Sequence, residues 1–303
     1  MEIKTIIAVM LVSSIAMADE LSINAENDFI FGTDNYYTHG TKINYIWNGS
    51  FSIFDGTYKN KTKSTDFTLA QYIYTPHDKK ATEPILSDRP YCGLLYFGVG
   101  LLARDSVWCD YWELDFGTVG PNSKAEESQN TIHKWIGSAE AMGWDNQIGN
   151  ELGLNLIYQK KYRWRWNDTF DYIPHVGACA GNFFDYVNCG AFARLGFNLP
   201  DDFGLQRMEP TARVMKMNWD WVSIFAFAEF DNRYVFRNIT LDGNTWKDSQ
   251  SIDKEPYVRD FEYGASIRVY FLTLTYGQNA RTKEFVGQPH QESFATAAIT
   301  FSF

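Results

Sequence analysis

Residues 294–303 read FATAAITFSF, with Ala295, Ala297, Ile299, Phe301 and Phe303 on one face and Thr296, Thr300 and Ser302, with Ala298, on the other. Alternation with period two is the pattern of a β-strand that shows an apolar face to one side and a polar face to the other. At the open edge of a soluble sheet, a strand with this much apolar surface would template aggregation. Closing the sheet into a barrel removes the edge, and a bilayer gives the apolar face somewhere to lie. The alternative is a soluble periplasmic β-protein.

The terminal phenylalanine is similar to the assembly signal of Gram-negative outer-membrane barrels, which implies the barrel-assembly machinery as a partner during biogenesis. At the other end, MEIKTIIAVMLVSSIAMA has Lys4 ahead of an apolar run, Ile6 to Met17, and closes on the small-x-small pattern Ala16-Met17-Ala18. The run is shorter than the roughly 20 residues that a membrane-spanning helix needs. Residues 1–18 are therefore read as a secretory signal and 19–303 as one outer-membrane β-barrel domain.

Composition agrees. Mean hydropathy is −0.33, which excludes a helical membrane protein, yet aromatic residues make up 17% of the chain. That quantity suits the interfacial girdles of a barrel, and Trp164 and Trp166 in RWRWN read as part of the periplasmic one. The signal holds one acid, Glu2, and one base, Lys4, so the mature chain keeps the formal charge of −10. This acidity argues against nucleic acid as a partner, but local basic clusters can still meet an anionic lipid. The four cysteines, Cys92, Cys109, Cys179 and Cys189, have no C-x-x-C spacing for a metal. Cys179 and Cys189 flank the short loop AGNFFDYVN, which leaves a cross-strand disulfide and unpaired lipid-facing thiols both open.

Strand patterns fall at about 20–28, 37–48, 65–74, 92–103, 109–119, 150–162, 171–180, 188–198, 219–237, 257–269, 270–279 and 293–303. The expected fold is an all-β transmembrane antiparallel barrel of about twelve strands, long enough for tilted crossings. With both termini in the periplasm and the longer loops outside, parity delivers Asn27, Asp28, Thr38, Lys79, Lys80, Arg89, Gln129 and His133 to the outer end. Gln129 and His133, four residues apart in the one good helical segment, share a face. Ile132, Trp135 and Ile136 supply an apolar neighbouring face, and Gly137 weakens or ends the helix. Taken singly, these residues have plain readings. Asn27-Asp28 are turn formers, Lys79-Lys80 a solvated pair, Arg89 a partner of Asp88, and His133 a solvated histidine on an amphipathic loop helix. His39 and His77 are read as surface residues without a role.

Together, several stretches resemble one family, the outer-membrane lipid A 3′-O-deacylases. They are END (26–28), YYTHG (36–40), DRPYCG (88–93), QNTIHKWIG (129–137) and GWDNQIGNELGLNLIYQKKYR (143–163). From about 199 to 290 the match is in architecture alone. The resemblance implies a twelve-stranded barrel in the Gram-negative outer membrane, with its site between the barrel's outer wall and the loop helix, level with the outer leaflet. It implies Ca²⁺-dependent hydrolysis of the 3′-O-linked acyloxyacyl ester of lipid A, so lipopolysaccharide and outer-membrane lipid are the expected partners. A monomer is expected. By matching position, Asn27 and Asp28 are metal ligands, Thr38, Gln129 and His133 are catalytic, and Lys79, Lys80 and Arg89 meet the acidic head group. A glutamate of the family falls in register with Ala139, and Glu140 stands one place later.

The residue types suit that chemistry independently. Ester hydrolysis needs a nucleophile, a base and something to hold the oxyanion. No G-x-S-x-G elbow is present, whereas a histidine, which titrates near neutrality, can activate water. Asn27 and Asp28 offer the hard oxygens that Ca²⁺ prefers, and the cation would polarise the ester carbonyl. Thr38 and Gln129 can orient water or the carbonyl. Two rival readings remain: a non-enzymatic pore, adhesin or structural barrel, and a serine-type outer-membrane phospholipase, for which Ser106, Ser128 and Ser138 offer no evident pairing.

Overall fold

The computed structural model describes residues 19–28, 36–51, 56–205 and 221–303; the expected signal, 1–18, lies outside them. Twelve long antiparallel strands form one sheet: β1 (Glu20–Asn27), β2 (Tyr36–Trp47), β3 (Thr62–Thr75), β4 (Cys92–Arg104), β5 (Trp108–Val119), β6 (Glu151–Tyr162), β8 (Phe170–Gly181), β9 (Phe184–Phe197), β10 (Val222–Asn238), β11 (Tyr257–Val269), β12 (Leu272–Arg281) and β13 (Glu292–Ser302). β7 (Trp164–Arg165) is a two-residue extension. Each long strand pairs with its sequence neighbour, β6 pairs with β8, and β1 closes on β13 from Glu20↔Ser302 to Asn27↔Ala295. The sheet is therefore a closed barrel without an edge, as the terminal strand required.

Alternation sets the two faces. Ile23, Ile43, Leu69, Phe97, Leu114, Leu154, Leu195, Ile267 and Ile299 are exposed on the outside, while Ser22, Asn24, Lys42, Asn44, Asp66, Glu113 and Thr300 are buried within. Apolar-out and polar-in is the pattern of a barrel solvated by lipid. Trp164 and Trp166 are exposed and stack with ring centroids 6.2 Å apart. β8 and β9 are longer than the alternation alone suggested, because only Asn182 and Phe183 separate them. This settles the thiols. All four cysteines are free, Cys179 is buried on the inner face, and Cys189 is exposed on the outer. Residues on opposite faces of a barrel wall cannot be bridged.

Chain fills both ends of the barrel. After β9, Leu199, Phe203 and Leu205 tuck inside and pack with Leu102, Tyr111, Ile173, Phe192, Phe225 and Phe227. Arg194 Nε and Nη2 donate to the two carboxylate oxygens of Asp171 at 2.9 and 2.6 Å, and Nη1 donates to Asp202. Arg104 Nη1 and Arg163 Nη1 donate to the carbonyls of Asp201 and Asp202, each at 2.9 Å. Burial pushes the Asp201 carboxyl up, but the charge and hydrogen bond of Arg163, with Arg104, outweigh it and hold the group below the ordinary carboxylate range. At the other end lies α2 (Ile239–Asp242), whose Thr240 N–H donates to Asn238 Oδ1 at the N-cap, 3.0 Å. Its Ile239 packs with Tyr37, Tyr74 and Phe294 inside the barrel, and its Leu241 packs with Tyr36 and Phe285.

A second helix, α1 (Ala125–Ile136), lies outside the barrel against β3 and β4. Two features of the wall seat it there. Gln71 Nε2 donates to the carbonyl of Ser123 at 2.6 Å, just ahead of the helix. A Cβ added at Gly93 would collide with Ser123 Oγ and Ala125 Cβ, so this position has to be glycine for the helix to reach the wall. Gly93→Val is therefore expected to push α1 off the barrel while leaving the barrel closed. Heat-modifiable electrophoretic mobility should be unchanged, and limited proteolysis should cut the 120–150 loop at least tenfold faster than in the wild type, as expected for a segment that has lost its packing.

Candidate active site on the outer wall

The polar interruption in the first two strands has a structural cause. Tyr37 is opposite Tyr74 and His39 is opposite Ile73, so Thr38 is an extra residue, a β-bulge. The bulge breaks the two-residue alternation. Tyr37 turns inward, where its hydroxyl donates to Glu26 Oε2 at 2.8 Å. Thr38 instead meets Thr75, with the two Oγ1 atoms 2.7 Å apart. Thr75 continues the outward row Gln71, Ile73 of β3. Asn27 Nδ2 donates to the Thr38 carbonyl at 3.0 Å and lies 3.4 Å from His39 Nδ1. Asp28 follows, buried at 3% exposure. His39 is thus not a bare surface residue, since its Nε2 also lies 2.6 Å from Thr41 Oγ1.

Helix α1 brings the other half. It starts after Lys124 in the left-handed region (φ 59°) and stops at Gly137 (φ 75°), whose N–H caps the carbonyl of His133. Gln129 and His133 turn their shared face to the wall and are 2% and 4% exposed. His133 is therefore not the solvated histidine of the plain reading. Its Nδ1 is 2.6 Å from the carbonyl oxygen of Ala139. A carbonyl can only accept, so Nδ1 carries a proton, and in the neutral imidazole the lone pair is therefore on Nε2. Ala139 thus orients the ring through its backbone. Glu140 is exposed and pairs with Lys134 at 3.2 Å.

The two halves connect through Trp144. Its Nε1 donates to Gln129 Oε1 at 2.8 Å, and its ring packs with Ile73, Tyr91, Ala125 and Ala141. From Asn27 the path runs through Thr38 to Thr75, then through Ile73, on the same face of β3, to Trp144, Gln129 and one turn on to His133. The sequence reading named four of these residues, Asn27, Thr38, Gln129 and His133. It missed Thr75, Ala139 and Trp144, although GWDNQ was among the stretches that carried the resemblance.

The basic residues separate. Lys79 is half-buried and Lys80 exposed, both in the loop between β3 and β4. The Lys79 carbonyl accepts from Tyr91 Oη at 3.0 Å and from the Met142 N–H at 2.8 Å, which ties this loop to the segment after α1. Arg89 is a correction to the expected head-group contact. It is fully buried, donates to Glu284 Oε2 at 3.1 Å and Thr240 Oγ1 at 2.9 Å, and covers the Tyr74 ring at 4.4 Å. Glu292 lies 3.6 Å away. Nor does its side chain pair with Asp88, which instead accepts from the backbone N–H groups of His77 and Arg89 at 2.8 and 2.7 Å. Arg89 clasps three outer loops together from inside.

Among the described residues no group of three or more His, Cys, Asp or Glu side chains is gathered as a metal cluster. Any cation at Asn27-Asp28 would take amide and carboxylate oxygens, a hard donor set.

Solved structures are similar to this chain to different degrees. LpxR from Salmonella typhimurium superposes with a TM-score of 0.80 at 23% identity, over 94% of this chain and all of that one. The β domain of the Bordetella autotransporter BrkA and the translocator domain of NalP from Neisseria meningitidis give TM-scores of 0.48 and 0.40 at 10% and 8% identity, over 94% and 99% of this chain and 98% and 94% of theirs. Among curated proteins, none matches the chain. The family model described as outer membrane protein LpxR matches residues 5–303. With nearly its whole length matched, the chain belongs to the LpxR family, the lipid A deacylases of the Gram-negative outer membrane.

Proposed function

We propose that this chain hydrolyses the 3′-O-linked acyloxyacyl ester of lipid A in the outer leaflet, with His133 as general base and Ca²⁺ as cofactor. The observation that carries this reading is the buried His133 on the barrel's outer wall, held by Ala139 in the tautomer that a base requires. A lipid ester reaches the outside of a barrel from the bilayer, which is the side on which the site is built.

His133 Nε2 takes a proton from a water molecule as the water oxygen bonds to the ester carbonyl carbon. The tetrahedral intermediate then breaks its bond to the sugar 3′-oxygen, which receives the proton from His133. The products are a free acyloxyacyl acid and a 3′-hydroxyl on lipid A. The Asn27 amide, the Asp28 carboxylate and the Thr38 hydroxyl are hard oxygens that suit Ca²⁺ and fall short of its 6–8 ligands, leaving places for water or substrate. Bound there, the cation would polarise the ester carbonyl. Lys79 and Lys80, on the loop next to α1, are the basic side chains assigned here to an acidic head group, and Arg89 is not one of them.

Mass spectrometry of lipid A incubated with the purified barrel tests the proposal. Loss of one acyloxyacyl unit is expected, abolished by EDTA and restored by Ca²⁺, and reduced at least 100-fold in Asp28→Ala. Unchanged lipid A with folded wild type in Ca²⁺ would leave the non-enzymatic barrel as the better account. Retained activity in EDTA would remove the metal.

A further inference from the structure

The structure assigns Trp144 as the residue that makes Gln129 a hydrogen-bond donor to the ester oxygen; the inference rests on the proposed hydrolysis. An amide side chain can present either its oxygen or its nitrogen to a site, and the fold alone rarely decides which. Here a neighbour does. An indole N–H donates and never accepts, so the 2.8 Å bond from Trp144 Nε1 fixes Oε1 of Gln129 on the Trp144 side. The amide nitrogen is thereby directed away from Trp144. Nε2 is buried and has no hydrogen-bond partner among the described residues. A fold avoids burying an unpaired donor, and one kept on the same helical face as a catalytic base is a donor reserved for a ligand.

The sign of the group selects its target. With Oε1 turned to the indole, the group of Gln129 left without a partner is the Nε2 amide, which can only donate, so its target is an oxygen. In ester hydrolysis the oxygen that gains charge is the carbonyl oxygen, and a fixed donor there acts mostly in the transition state. Trp144 touches no reacting atom and is a positioning residue. It is suited to that task because it is itself immobile: 2% exposed, with its ring 4.9 Å from that of Tyr91 and in contact with Ile73 on the barrel wall.

The test uses full-length protein in detergent with lipid A and Ca²⁺, comparing wild type, Trp144→Phe, Gln129→Met and the double variant. Phenylalanine keeps the ring and removes only the N–H. Trp144→Phe is expected to lower kcat about 10–100-fold with KM and the pH profile unchanged, and Gln129→Met about 100–1000-fold, the range for losing one oxyanion donor. The double variant should be no slower than Gln129→Met, because the indole acts only through the amide. Unchanged kcat in Trp144→Phe, or losses that multiply in the double variant, would overturn the assignment. A wild type that leaves lipid A intact would instead overturn the proposed activity. The geometry is then still read by NMR: the Trp144 indole N–H resonance, identified by its absence in Trp144→Phe, should move on Gln129→Met. A resonance that stays in place would sink the inference on its own.

Discussion

His133→Gln is expected to reduce acyloxyacyl release by about 10²–10⁴, the contribution of a positioned general base, with KM little changed and the barrel fully folded. Glutamine can replace the hydrogen bond to the Ala139 carbonyl, since its amide N–H donates as Nδ1 does, so the loss isolates the proton-accepting nitrogen. Rates measured by mass spectrometry, beside heat-modifiable mobility to confirm folding, give the result. A variant within threefold of the wild type would remove His133 from the chemistry. Because the Ala139 carbonyl holds the imidazole and the exposed Glu140 side chain is engaged by Lys134, Glu140→Gln should leave the rate within about twofold, as expected for an exposed ion pair.

The largest effect on stability is expected at Arg194. Its guanidinium lies between Asp171 and Asp202, and all three side chains are fully buried. Arg194→Met removes the cation and leaves two carboxylates confined together, a loss of about 3–5 kcal/mol by analogy with broken buried ion pairs. Guanidinium unfolding in detergent measures it. Replacing both partners as well, in Arg194→Met/Asp171→Asn/Asp202→Asn, should recover part of the loss, because uncharged groups no longer need the cation. A single variant as stable as the wild type would show that the clamp contributes nothing.

The contrast between what could and could not be read from sequence follows from distance along the chain. Strands were legible because lipid on one side and polar filling on the other impose a period of two on every crossing, and the terminal FATAAITFSF states it in ten residues. The loop helix was legible for the same local reason, with Gly137 ending it where expected. Arg89 was misjudged because its partners, Thr240 and Glu284, lie 151 and 195 residues away. The segment LPDDFGL (199–205) carries no period, so its burial could not be inferred; Arg104, which holds it, is 97 residues from Asp201. The bulge at Thr38 is a property of pairing between two strands, and neither strand encodes it alone. For the site, the stretches that carried the family resemblance pointed to Asn27, Asp28, Thr38, Gln129 and His133. The two groups that set the orientation of Gln129 and His133 escaped notice, because one acts through a backbone carbonyl and the other is an ordinary core tryptophan.

The packing of chain into both ends of the barrel has a cellular consequence. An outer membrane excludes bile salts, dyes and many antibiotics, and each open channel added to it weakens that exclusion. On the proposed reading the catalyst works on the outside of its own wall and has no use for a conduit, and here Leu199, Phe203 and Leu205 at one end and Ile239 at the other pack inside the barrel. Many copies can therefore be displayed to remodel the surface without making the envelope leaky.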